Sequence, residues 1–296
     1  MKALIFGSYN LDHVYAVDHF VRAGETISVG SYQIFPGGKG LNQAVAFAKC
    51  GLDTWAAGAI GAEGGLLLEV LSGVGVHDDY ILRKEEPTGH TVIQTAPNGE
   101  NCILVYGGAN QAITRADIDR VLDHFAPGDL LILQHEISGV DYLIRQGHAR
   151  GLTVILNPSP IREETKALPI GLADYVIVNE IEGAGLSGLE TADGQRMIEE
   201  LAGKYPQSKI VLTLGSEGSL FWDGSRILKQ PIYPVKAVDS TGAGDTFTGF
   251  FFGSLLSGKP AEEALSIAAK ASAIAVSRAG ASVSIPTMEE VMERTF

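Results

Sequence analysis

Short apolar runs recur along this chain, and each stops at a glycine or a polar residue. Ala3 to Phe6 ends at Gly7, and Leu130 to Leu133 ends at Gln134-His135-Glu136. Leu152 to Leu156 ends at Asn157-Pro158, Tyr175 to Val178 at Asn179-Glu180-Ile181-Glu182, and Ile210 to Leu214 at Gly215-Ser216-Glu217-Gly218. Uninterrupted apolar runs of this length predict strands buried on both faces. Thr54 to Ile60 predicts one more. Helical segments lie between: Gly64 to Leu71, then Thr114 to about Phe125, which opens on the capping-box pair Thr114 and Asp117. The Ala-rich stretch from Ala261 to Arg278 predicts a long helix that Gly280 ends. Strands spaced by helices predict an α/β fold: a doubly wound, mostly parallel sheet sandwiched by helices. The polar residues past each strand then line up on the edge where such sheets bind ligands.

Two stretches, about 12–34 and 88–107, lack the helical period. Val14, Ala16, Ile27, Val29, Tyr32 and Ile34 suit short strands, while Thr91–Thr95 and Cys102–Tyr106 flank the hairpin signal Pro97-Asn98-Gly99. These insertions predict a small β-sheet lid over a site, and exposed strand edges there suit a dimer contact. No repeat or linker divides the chain, so residues 1–296 read as one α/β domain.

Two glycine-rich helix starts carry the candidate chemistry. In Ala237-Val238-Asp239-Ser240-Thr241-Gly242-Ala243-Gly244-Asp245-Thr246-Phe247, the turn at Gly242-Ala243-Gly244 aims backbone N–H groups at one spot. That spot suits a phosphate or a developing oxyanion, and Asp245 beside it can accept a proton. The other start, Gly37-Gly38-Lys39-Gly40-Leu41-Asn42-Gln43-Ala44, puts Lys39 and Asn42 on one face of a first turn. It lacks the spacing of a P-loop. Nor does Gly7-Ser8-Tyr9-Asn10-Leu11-Asp12 match the dinucleotide-binding turn, although Asn10 and Asp12 stand just beyond the first strand. Each feature taken singly also suits an ordinary turn or helix cap.

Composition narrows the partners. The chain has 296 residues, of which 45% are hydrophobic, and a formal net charge of −13. That charge argues against nucleic acid and anionic membranes. Cys50 and Cys102 match no metal or disulfide spacing. There is no charged-then-apolar leader and no apolar run of about 18 residues, so a cytoplasmic protein is expected.

With these motifs in view, the chain resembles the ribokinase family of sugar kinases along essentially its whole length. The stretch from Gly37 to Ala44 looks like that family's first signature and Asp239 to Phe247 like its second. The resemblance implies an ATP-dependent kinase acting on the primary hydroxyl of a small sugar, D-ribose above all. It implies Asp245 as base and Gly242, Ala243 and Gly244 as anion hole. It matches Asn10, Asp12, Gly38, Lys39, Asn42 and Glu136 to sugar binders, and Ile93 and Val105 to an apolar lid over the sugar. Asn179, Thr213, Gly215, Ser216 and Gly218 match the nucleotide site, with Gly244 bordering it. Asn179 to Glu182 matches an N-x-x-E motif tied to Mg²⁺ and phosphate. Asp239, Thr241, Ala275, Arg278, Gly280 and Ser284 match a site for K⁺. Ala269 departs from the pattern, because some members carry a histidine there near adenine. A homodimer through the lid is implied as well. Two rival readings stay open: a kinase for deoxyribose, fructose or a nucleoside, and a non-catalytic sugar-binding regulator.

Overall fold

In the computed structural model, which describes residues 1–189 and 193–296, the apolar runs become the inner strands of a nine-stranded sheet. The chain begins with β1 (Ala3–Phe6), β2 (Asn10–Ala16), β3 (Ser31–Gly37), α1 (Lys39–Lys49), β4 (Thr54–Ile60), α2 (Gly65–Gly73) and β5 (His77–Arg83). It continues through β6 (Gly89–Thr95), β7 (Asn101–Tyr106), α3 (Arg115–Leu122), β8 (Leu130–Gln134), α4 (Val140–Ala149) and β9 (Thr153–Asn157). Next come β10 (Tyr175–Asn179), α5 (Glu180–Ser187), α6 (Gly194–Lys204), β11 (Lys209–Thr213), β12 (Ser219–Trp222) and β13 (Ile227–Gln230). The last elements are α7 (Ala243–Leu256), α8 (Ala261–Val276) and α9 (Met288–Glu293).

Across the large sheet the order is β13-β12-β11-β10-β9-β8-β1-β4-β5. Every pair from β11 to β5 is parallel, while β11–β12 and β12–β13 are antiparallel. Side chains alternate between two cores, as the pleat demands. Ala3 and Ile5 pack under α1, α2, α7 and α8; Leu4 and Phe6 pack under α3 to α6. Chain order reverses beside β1, with β4 and β5 added on one side and β8 to β11 on the other. The strand ends at that reversal form the usual ligand crevice of a doubly wound sheet.

Two packing features hold the site. Phe250, Phe251 and Phe252 are fully buried, and Phe251 and Phe252 meet Phe221 and Tyr175 edge to face. Burying each such ring contributes about 1.5–3 kcal/mol, which anchors α7 firmly to the sheet. Gly249 then lets α7 approach α1 closely, since a Cβ there would stand 2.4 Å from Ala46 Cβ. The first turns of the two helices are thereby brought side by side.

A second sheet, ordered β3-β2-β6-β7, forms the lid. Asp12 pairs with Phe35 and Thr91, and Thr91 with Val105, so Asp12, Thr91, Ile93 and Val105 share one face. The expected α/β class and small lid are therefore present, with three corrections. Asn10 and Asp12 lie within β2 and not in a turn after β1. The lid also begins earlier and ends later than 12–34, while Ile27 and Val29 fall in an irregular stretch with no strand to pair against. The sequence reading also passed over β5, β12 and β13. These are edge or near-edge strands, and β5 and β13 mix polar with apolar residues and stay partly exposed, so neither reads as an uninterrupted apolar run.

Candidate active site

Asp245 sits in the first turn of α7 and is 7% exposed. Gly242, with φ near +75°, caps that helix and turns the chain into it. A buried carboxylate needs donors, and α1 supplies them. Asn42 Nδ2 donates to Asp245 Oδ2 at 3.2 Å, and Gln43 Nε2 donates to Asp245 Oδ1 at 2.9 Å. Gln43 Oε1 in turn accepts from Gln134 Nε2 at 2.7 Å. Asn42 Oδ1 is buried and has no partner among the described residues, so it is left to accept from a ligand hydroxyl.

Lys39 opens α1 in the same corner. Burial works against its charge, but Asp245, Glu136 and Glu182 outweigh it and hold the ammonium above the ordinary lysine range. Glu136, just past β8, accepts from the Ser8 hydroxyl and from the Lys39 N–H at 3.3 Å. From the lid, Asp12 Oδ1 accepts from Thr91 Oγ1 at 2.6 Å. Burial pushes the Asp12 carboxyl up from its ordinary value and the charge of Glu136 adds to this, while Thr91 and His13 pull the other way. Asn10 is tied down by Asn110, whose Nδ2 donates to Asn10 Oδ1 at 2.8 Å. Gly38 turns the chain from β3 into α1. Ile93 lies on the Asp12 face of the lid, and Val105, on that face too, is 64% exposed.

On the other side of Asp245 opens a cavity of about 630 Å³. Asn179, Thr213, Gly215, Ser216, Gly218, Ala243 and Gly244 line it, so the expected nucleotide residues share one wall. Ala269 lines it too. A smaller adjoining cavity of about 210 Å³ is lined by Lys39, Asn179, Glu182, Gly242, Gly244 and Asp245, among others. Asn179 and Glu182 form a capping box at the start of α5, with Glu182 Oε2 accepting from Asn179 N–H at 3.0 Å. The small cavity, which holds the buried Asp245 carboxylate, thus adjoins the apolar cavity at a helix N-terminus.

A family model for pfkB family carbohydrate kinases matches residues 1–288. The chain belongs to the pfkB family of carbohydrate kinases. A ribokinase from Bacillus subtilis is 37% identical over 297 residues, covering 98% of this chain and 97% of its own length. The crystal structure of a Cryptococcus neoformans ribokinase in complex with ADP superposes with a TM-score of 0.89 at 32% identity, covering 99% of both chains. An Arabidopsis thaliana ribokinase complexed with ribose and ATP also gives 0.89, at 31% identity over 99% of this chain and 97% of that one.

In this kinase the segment before α7 is pinned to the segment after α8. Asp239 Oδ1 accepts from Thr241 N–H and Oγ1 at 2.9 and 2.7 Å, and Asp239 Oδ2 accepts from Gly280 N–H at 2.9 Å. Burial would raise the Asp239 carboxyl, but these donors win and hold it below the ordinary carboxylate value. Arg278 turns its guanidinium to Glu290 at 2.7 Å, and its N–H reaches Ala275 O at 3.0 Å. Ser284 Oγ donates to Ala281 O at 2.8 Å. The N–H of Ala243 bonds to Ser240 O at 3.2 Å, so it does not stand open as the anion-hole reading expected.

Sequence reasoning missed Ser8, Thr91, Asn110 and Gln134, and assigned Gln43 no role. Only Gln134 carried a signal, as a polar residue ending an apolar strand. It also missed Pro231, Ile232, Tyr233 and Val235, which wall the large cavity from an irregular segment.

The raised Asp12 carboxyl sets a pH test. If it binds the sugar as a carboxylate, it is neutralised at higher pH than an ordinary aspartate, so the Michaelis constant for the sugar should climb as pH falls through that region. The constant for the nucleotide should stay level. Thr91→Val, which removes the hydrogen bond that favours the ionised form, should move the climb to still higher pH. Steady-state kinetics across pH with the second substrate saturating reads both; a flat sugar profile would remove Asp12 from the sugar site.

Proposed function

We propose that this kinase transfers the γ-phosphoryl group of ATP to the primary hydroxyl of D-ribose, giving ribose 5-phosphate. The observation that carries the reading is the buried Asp245 carboxylate, set at a helix N-terminus in a small cavity that shares Asn179, Thr213 and Gly244 with the large one. Likeness to ribokinases along nearly the full chain supports ribose over other small sugars.

Each residue has a task in that reaction. Asp245 takes the proton of the primary hydroxyl as its oxygen attacks phosphorus. Gly242 and Gly244, with the dipole of α7, hold the charge that spreads over the transferring group. Lys39 adds a fixed cation to a chain that is acidic overall. Asp12, Glu136 and Asn42 fix the sugar hydroxyls, and a site that hydrogen-bonds them rejects sugars lacking them. Ile93 and Val105 close over the ring and exclude water, which would otherwise accept the phosphoryl group.

The donor set also fits Mg²⁺. Glu182 lines the small cavity beside Asn179, and this ion favours one or two carboxylates plus substrate phosphates. When bound, it neutralises charge on the phosphates. K⁺ fits beside Asp239, whose carboxylate is kept anionic between the two segments it joins. We further propose a homodimer through the lid, because Tyr32, Ile34, Leu104 and Tyr106 leave a broad apolar lid surface exposed. We place the reaction in the cytosol, where ATP and free sugar meet.

Coupled ADP detection with ribose, 2-deoxyribose, fructose and a nucleoside tests the substrate. Ribose should give the highest kcat/KM, and Asp245→Asn should lower kcat by about 10²–10⁴-fold with ribose still binding. Turnover highest on a nucleoside, or on none of the four, would overturn the reading.

Exchanging sodium for potassium at constant ionic strength should raise kcat more than it changes the ribose Michaelis constant. Misplacing preorganised donors by about 1 Å can cost roughly 10²-fold. Equal rates in both salts, in wild type and in Asp239→Ala, would dismiss the cation site.

Sedimentation at micromolar concentration should give a dimer, and Leu104→Asp should give a monomer. A monomeric wild type would end the lid-contact proposal.

A further inference from the structure

We infer that Gln43, steadied by Gln134, is a positioning residue for Asp245: it holds one carboxylate oxygen so that the other faces the substrate hydroxyl. The inference rests on Asp245 being the base, and it concerns a residue that touches neither sugar nor nucleotide in that reading.

The geometry has a direction that chemistry enforces. A carboxylate only accepts, so the NH₂ end of the Gln43 amide must be the end on Asp245 Oδ1, at 2.9 Å. That leaves Gln43 Oε1 pointing the other way, where it needs a donor. Gln134 Nε2 supplies it at 2.7 Å. Gln43 and Gln134 are fully buried, so no water can stand in for either partner. Flipping the Gln43 amide would set its oxygen against Asp245 and its NH₂ against the NH₂ of Gln134. Gln134 is the last residue of β8 and Gln43 lies in the second turn of α1, so the relay runs from the sheet edge to the base.

The two oxygens of Asp245 are consequently unequal. Oδ1 has the short bond to Gln43, and the same Nε2 also lies 3.4 Å from Asn157 Oδ1. Among the described residues, Oδ2 has only the longer bond from Asn42, at 3.2 Å. Asn42 Oδ1 stands without a partner among the described residues, free to meet a sugar hydroxyl. A sugar that engages Asn42 therefore arrives beside Oδ2, and Oδ2 receives the proton.

The test measures kcat and both Michaelis constants against pH, over about pH 5–9, for wild type, Gln43→Leu, Gln43→Glu, Gln134→Leu and Asp245→Asn. A hydrogen bond to a carboxylate favours its ionised, proton-accepting form. Gln43→Leu removes that bond, so the acid limb of kcat should move to higher pH. Maximal kcat should fall roughly 10–100-fold, with both Michaelis constants within about twofold. Gln43→Glu keeps the shape and sets a second carboxylate beside the first, so the limb should move further in the same direction. It carries the test if the leucine variant does not fold. Gln134→Leu should shift the limb the same way by less, because Gln43 then keeps its donor but loses its anchor. An acid limb unchanged in a folded Gln43 variant, beside an inactive Asp245→Asn, overturns the inference alone. A fully active Asp245→Asn overturns the base assignment and the inference together.

Discussion

A carboxylate buried at the junction of two helix starts is the constraint on which this site depends. Removing Asp245 from water carries a cost that only hydrogen-bond donors offset. Those donors, Asn42 and Gln43, come from α1 and not from the helix that bears the acid. The helices must therefore lie close, which is why Gly249 meets Ala46 where a side chain would collide. They must also be rigid, which the buried phenylalanines of α7 ensure. Catalytic geometry and core packing are one problem here, because a loosened core would leave an unpaired buried charge.

The residues read as sugar binders are divided between two bodies. Lys39, Asn42 and Glu136 belong to the main layers, while Asn10 and Asp12 ride on β2 in the lid. Strand β2 follows β1 after only Gly7, Ser8 and Tyr9, and Asn110 clasps this joint through Tyr9 and Asn10. Motion of the lid against the large sheet would thus change the distance from Asp12 to Glu136 and Lys39. Such motion would open or close the space between them. The large apolar cavity is built from the main layers and stays outside that motion.

An acidic chain must still attract phosphate. Positive potential is concentrated in one corner: the N-terminus of α7, and a Lys39 whose charge is upheld by the carboxylates around it. One of those carboxylates, Glu182, lines the space suited to a divalent ion. The charge of the whole chain says little about the site, because the local arrangement of a few groups decides the field there.

Much of this was legible in the residues. Apolar runs ended by polar residues announced a parallel sheet and its binding edge, because burial on both faces leaves no alternative to apolar side chains. The glycines around Lys39 and before Asp245 announced two helix starts, because only an unhindered backbone turns and approaches so closely. What the tertiary structure alone decided were pairings between distant segments: Gln43 with Asp245, Gln134 with Gln43, Asp12 with Thr91, Asp239 with Gly280. A glutamine in a helix and another at a strand end carry no local mark of partnership. Their meeting is set by how closely α1 packs on α7 and by which strands flank β1, and these are properties of the assembled layers. Edge strands such as β5 and β13 escaped for a related reason, since half-wet strands are under weak pressure to be apolar. Local physics thus wrote the elements into the sequence, and long-range packing chose which of their polar groups would face one another.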